Sequence, residues 1–196
     1  MKKNILYYVS TVCLTLIFLI PSVSPASSIN PIADSTISLN GIFMKGDSSL
    51  LTDGQVEEGT NWSSQSVSWL GLKPSIEIDL HGVTKISSLS IQADSNDAYQ
   101  VDYWDKSSNS WQHAWTVANV KDNAHNYVPG LVLRESGSDL NIVSDKLKIS
   151  ALSGDGMYSV SEIQAKASPT PLPSALLLLG SGLGGLAFVR KRFKML

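Results

Sequence analysis

Five tryptophans, Trp62, Trp69, Trp104, Trp111 and Trp115, are the most chemically suggestive side chains in this chain of 196 residues. Indole faces stack on the apolar faces of sugar rings while the ring N–H keeps a polar handle. Their chemistry is that of non-covalent recognition. Trp69 stands in a loop-rich stretch before Pro74 and is the expected exposed platform. Trp104 has the opposite parity from Tyr99 and Tyr103, so one of those sets faces outward. Trp69 and Trp104 are therefore the candidate ligand contacts, with Trp62 and Trp111 expected in packing roles, Trp62 beneath a loop and Trp111 at the sandwich end. Catalytic chemistry is poorly served. His81, His113 and His125 lie in unrelated contexts, with no His-x-x-x-His pair and no nucleophile elbow. A glycosidase needs two facing carboxylates, but 17 Asp and Glu make close pairs too common to signify. A non-enzyme is expected. His113 shares parity with Trp111 and Trp115 and is expected to be partly buried and hydrogen-bonded.

The elements that must hold these groups read as short strands. Ile76, Ile78 and Leu80 alternate with Ser75, Glu77 and Asp79 and end at His81-Gly82. Leu89, Ile91 and Ala93 alternate with Ser88, Ser90 and Gln92; Tyr99, Val101 and Tyr103 do so with Gln100, Asp102 and Trp104. Trp111, His113, Trp115 and Val117 share one parity, as do Leu147, Ile149 and Ala151. Period-two runs separated by polar turns predict an all-β antiparallel sandwich. Asp105-Lys-Ser-Ser-Asn-Ser110, between two aromatic runs, predicts a hairpin loop.

Both ends differ from this body. Lys2 and Lys3, an apolar run over 5–20 and small residues over 22–26 form a secretory signal, with cleavage expected after Ala26. Cys13, the only cysteine, lies inside the apolar run, preceded by Val12, which argues against lipid attachment and leaves no disulfide for the mature chain. At the other end, Pro171-Leu172-Pro173 precedes an apolar, glycine-broken stretch and the basic residues Arg190, Lys191 and Arg192. A membrane helix is expected over 174–189, shorter than the roughly 20 residues of a full span but extended by snorkelling basic side chains. The basic end should stay cytoplasmic and the body outside. Three units result: 1–26 signal, 27–168 exported domain and 169–196 tail. Residues 27–168 hold all 17 acidic residues and 9 basic ones, a net of −8. So acidic a body is a poor partner for nucleic acid.

The tail resembles the PEP-CTERM sorting signal of exported bacterial proteins, with Pro-Leu-Pro where the family has Pro-Glu-Pro. The resemblance implies an exosortase-type processing enzyme as partner, in a bacterium with a Gram-negative-type envelope. The body would stand in the periplasm while the helix held the inner membrane, then reach the cell surface or extracellular matrix.

The body offers Leu51-Thr-Asp53-Gly54, Thr60-Asn-Trp62, Ser75-Ile-Glu-Ile-Asp-Leu80, Tyr99-Gln-Val-Asp-Tyr-Trp-Asp105 and Gly154-Asp-Gly-Met-Tyr-Ser-Val-Ser-Glu162 in that order. This order resembles the galactose-binding-like jelly roll of discoidin, coagulation-factor type C domains and many carbohydrate-binding modules, over residues 35–167. The resemblance implies a structural Ca²⁺ held by Asp53, Thr60, Glu162 and intervening carbonyls, a donor set suited to that hard cation. It also implies a non-catalytic module for an extracellular polysaccharide. The alternative is a structural biofilm or exopolysaccharide-associated protein with no defined ligand.

Overall fold

The computed structural model describes residues 30–57, 65–122, 124, 126 and 128–168. The signal segment, Pro171, Leu172 and Pro173, the helix expected over 174–189, and Arg190, Lys191 and Arg192 lie outside the described residues, as do Thr60, Trp62 and His125.

Among the described residues the chain is all β but for one short 3₁₀ turn, Ser48–Leu51. Its strands are β1 (Thr36–Asn40), β2 (Phe43–Lys45), β3 (Val67–Leu70), β4 (Ser75–Asp94), β5 (Ala98–Asp105), β6 (Ser110–Val117), β7 (Leu131–Glu135), β8 (Ile142–Ser153) and β9 (Met157–Ala167). They pair in the order β2-β3-β9-β4-β8-β5-β6, with β1 and β7 both added to β4.

Strand β4 organises the whole. Ser75 pairs with Ser150 on β8 and Ala93 with Val160 on β9. Both partners flank the β8–β9 turn, so the two ends of β4 lie at that turn and its middle rounds the opposite end. The first half of β4 joins a layer with β1, β8, β5 and β6, and the second half joins β2, β3, β9 and β7. The bend sits at a register shift between Asp79 and Thr84. There His81 takes a φ of 59°, and its backbone N–H donates to Asp79 Oδ1 at 2.8 Å. The break expected at His81-Gly82 is thus a corner inside one strand, because pairing with β8 resumes at Thr84↔Ser144.

The core lies between the layers. Ile76, Ile78 and Leu147 from one layer meet Leu89, Ile91 and Ile163 from the other, all fully buried. Each such side chain contributes about 1.5–3 kcal/mol by leaving water. Alternation predicts these inward residues well. It fails for Ser88, Ser90 and Gln92, which face away from the core yet are also buried. Gln92 explains why: its Nε2 donates to the Glu57 carbonyl at 2.6 Å and its Oε1 accepts the Glu57 N–H at 2.8 Å. The stretch up to Glu57 therefore covers this part of the layer's outer surface. Chain entry and exit meet at the bend end, where Asn30 Oδ1 accepts the Ala165 N–H at 3.0 Å and the Ser168 N–H donates to the Lys85 carbonyl at 2.8 Å.

Candidate functional site

Opposite the bend, the turns at 71–74, 95–97 and 154–156 gather with the chain between β6 and β7. Ser95 fastens that chain down. Its N–H donates to the Gly130 carbonyl at 3.1 Å, its hydroxyl to the Val128 carbonyl, and its own carbonyl accepts the Val120 N–H at 2.7 Å. The result is a cavity of about 340 Å³. Asp94, Asn96 and Asp155 supply its polar groups and Val128, Pro129 and Met157 its apolar wall. Asn96 Nδ2 donates to Asp155 Oδ2 at 2.9 Å, and Asp155 Oδ1 accepts the Met157 N–H at 2.9 Å. A second recess, of about 540 Å³, shares Asn96 and Asp155 and is completed by Asn119, Ser153 and Gly154.

A buried polar network fixes this rim. Asp97, 0% exposed, accepts the Asp155 N–H on Oδ1 at 3.1 Å. Gly154 packs so tightly on the same oxygen that a Cβ there would lie 1.6 Å from it. Arg134 reaches in from β7, its Nη1 donating to the carbonyls of Asp97 (3.2 Å) and Ala118 (3.0 Å) and its Nη2 to that of Asp94 (2.9 Å). Its guanidinium lies 5.6 Å from the Tyr99 ring centre. The Tyr99 hydroxyl meets the Asp94 carboxyl and donates to the Ser159 carbonyl at 2.9 Å. Burial foremost, with the neighbouring Asp97 carboxyl, pushes Asp94 up to about 8. Asp97 is raised as well, again by burial. The Tyr99 hydroxyl oxygen also accepts the Ser159 N–H at 3.0 Å, so Tyr99 ties the end of β4 to β9. The Asp94–Asp97 pair does not straddle the cavity, since Asp97 is turned to Asp155 and Gly154 and is not among its lining. A glycosidase's carboxyls must both face the substrate.

A second polar centre lies on the covered face of β9. Glu162 is 0% exposed; its Oε1 accepts from Gln164 Nε2 at 3.1 Å and, among the described residues, its Oε2 has no hydrogen-bond partner. Burial pushes Glu162 up to about 7, and the facing Asp53 carboxylate adds to the rise. Asp53 itself is exposed and accepts the Gln55 N–H at 2.8 Å. The structure thus brings Asp53 and Glu162 together, while Thr60 lies outside the described residues. An orphaned buried carboxylate oxygen beside a second carboxylate fits a hard cation. Among the described residues no third carboxylate, imidazole or thiolate joins them, so carbonyl or hydroxyl oxygens would complete a shell.

The aromatic expectations divide. Trp69, expected as an exposed platform, is 0% exposed. It packs between Phe43 (5.5 Å between ring centres), Tyr99 (6.0 Å) and Tyr158 (6.0 Å), because four-residue β3 turns it into the core. Trp104 does face outward, half-buried, with Tyr99 and Tyr103 inward. Trp111 lies opposite it rather than at the sandwich end, 5.4 Å away edge to face, under Lys148 Nζ at 4.5 Å. The reason is a register shift between Val101 and Asp102, which places Trp115 inward but His113 and Trp111 outward. His113, expected partly buried, is accordingly 53% exposed; it contacts Thr116 at 3.2 Å and Asp102 at 3.8 Å. Asp102 also pairs with Lys148 at 3.4 Å and accepts from Gln100 at 2.8 Å, so this outer face is internally neutralised.

Sequence reasoning missed Asp94, Asn96, Asp97, Asp155 and Arg134 as a group. The only signal was compositional: Asp94-Ser-Asn-Asp97 and Gly154-Asp-Gly156 are dense turn formers at strand ends.

No protein-family profile matches this sequence, and a comparison with curated proteins gives no match. Solved structures do resemble it. A fucolectin from striped bass (Morone saxatilis) serum superposes with a TM-score of 0.56 at 11% identity, over 73% of this chain and 48% of that one. A fucose binding module of Streptococcus pneumoniae gives 0.53 at 14%, over 74% and 99%. The family 32 carbohydrate-binding module of C. perfringens NanJ, solved in complex with galactose, gives 0.51 at 16%, over 70% and 97%. At such identities the likeness is one of architecture: the described domain has the galactose-binding-like fold seen in carbohydrate-binding modules.

Proposed function

We propose that this chain is an exported, non-catalytic carbohydrate-binding protein whose cavity at the Asp94–Asn96–Asp155 rim takes a sugar. The observation that carries this is the cavity's lining: hydrogen-bonding side chains on one side and an apolar wall on the other. A pyranose offers the same two kinds of surface. The fold shared with a fucose binding module and with a family 32 module solved in complex with galactose supports the reading. The wall is aliphatic, so stacking on Trp69 is no part of it, and Trp104 stands apart on a sheet face. Ca²⁺ would sit between Asp53 and Glu162, with Thr60 as a further oxygen donor, tying the covering segment to β9. That role is structural.

The signal segment and the PEP-CTERM-like tail are the basis for proposing export, an exosortase-type partner, transient membrane attachment and delivery to an extracellular polysaccharide. The test is a glycan array on residues 27–168, with and without calcium. Binding of a defined glycan is expected, weakened about tenfold or more by Asn96→Ala or Asp155→Ala, each of which removes cavity hydrogen bonds. Uniform silence would discard the sugar reading and leave a structural surface protein with no defined ligand.

A further inference from the structure

The cavity opens onto a row of large aliphatic side chains that the core does not need. Leu70 on β3 pairs with Met157 on β9, and Ile42, just before β2, falls opposite Leu70 in the register set by Phe43↔Trp69. Cross-strand partners point to one side of a sheet. These three stand outward at 85% (Ile42), 55% (Leu70) and 40% (Met157) exposure, with Leu72 in the following turn at 57%. Single exposed aliphatics are ordinary, but four adjoining ones mark a contact surface.

Two observations say what covers the row. It is continuous with the sugar cavity: Met157 belongs to both, and the Gly71 N–H donates to the Gly156 carbonyl at 2.9 Å, clamping the aliphatic turn to the turn that carries Asp155. It is also narrow, one residue wide on β3 and β9, with Met44 on β2, 47% exposed, as its one addition. The next outward positions along β3 and β9 are Ser68 and Ser159. A stripe so narrow falls far short of the ~800 Å² per partner of a stable subunit interface. Across two strand spacings it is about 10 Å long, the span of an extended octyl chain.

We infer that the ligand is an amphiphilic glycan, one whose sugar occupies the cavity while an alkyl or acyl substituent lies along Met157, Leu70, Leu72 and Ile42. This rests on the sugar reading above and adds the chemical class of what the sugar carries. No bond is made or broken; the chain recognises the junction between a polar headgroup and its apolar appendage.

The test uses residues 27–168, which contain the entire core described above, and titrates methyl and octyl glycosides of galactose, fucose, glucose, mannose and N-acetylglucosamine, all below their micellar concentrations. For the sugar that binds, the octyl glycoside should bind roughly tenfold or more tightly than the methyl glycoside, because methylene groups leave water. The triple variant Ile42→Ser, Leu70→Ser, Leu72→Ser should abolish that gain and leave methyl-glycoside affinity unchanged. These positions are exposed, and circular dichroism would confirm the fold. Equal affinity for octyl and methyl forms would overturn the inference while leaving the sugar site standing. Equal octyl binding for every sugar, or binding of octanol alone, would also overturn it by unlinking the row from the cavity. If no glycoside of either kind binds, the sugar reading falls and this inference with it.

Discussion

Two buried carboxyls, Glu162 and Asp94, make the residue scale the place to look for pH dependence. Glu162 keeps its proton to about 7 in the folded chain, against an ordinary 4.5, because burial penalises its charge. The folded state therefore holds this proton more tightly than the unfolded chain does. Stability from the protonated form is full below 4.5, declines as pH rises, and is gone above about 7. In chelator, the melting midpoint should fall across that span. Glu162→Gln should remove that share of the decline, and Asp94→Asn the share running up to about 8. With calcium the slope should reverse around Glu162, since a cation binds the ionised carboxylates and its stabilisation grows as pH rises. A pH-independent midpoint in chelator would refute this account of both groups. Trp69 offers a plainer test: Trp69→Ala should cost about 3–5 kcal/mol by denaturant titration, the toll of emptying a core aromatic site. Trp104→Ala, on a solvent-facing surface, should cost far less.

At the scale of elements, the turn at 154–156 is the most constrained piece. Gly154 has no room for a methyl group against Asp97, and Asp97 in turn holds the Asp155 N–H. Gly154→Ala should cost about 1–3 kcal/mol through overpacking and should displace Asp155, so stability and glycan affinity fall together. Unchanged affinity at reduced stability would separate the turn from the site. The strands were largely legible because β4, β5 and β8 bury alternate residues, and that alternation is written in Ile76, Ile78, Val101 and Ile149. What hid was local. One extra residue near Asp102 flips Trp111 and His113 to the other face, a slip to which a period of two is blind. Trp69 was misread because β3 is four residues long among serines and glycines, leaving no period to detect. The Asp94–Asp97–Arg134 network joins three separate strand ends, so only the pairing of β4 with β7 and the turn between β8 and β9 reveals it.

For the molecule as a whole, the covering segment is held by Gln92 of β4, which bonds both backbone groups of Glu57, and its Asp53 faces Glu162 of β9. A cation there would act as a brace in a chain that has no cysteine after Cys13. Chelator should lower the midpoint of residues 27–168 at neutral pH, and Asp53→Ala should reproduce the lower value and abolish the response to calcium. An identical midpoint with and without chelator would remove Asp53, Thr60 and Glu162 as a site.

The path of β4 also decides how the domain is displayed. Because that strand rounds one end and starts and finishes at the other, Asn30 and Ser168 leave together from the bend, and the cavity faces the opposite way. β9 alone, 11 residues long, puts about 35 Å between the exit and the cavity rim. Any tether beyond Ser168 would hold the domain like a lamp on a post, its opening turned outward and clear of whatever anchors the stem.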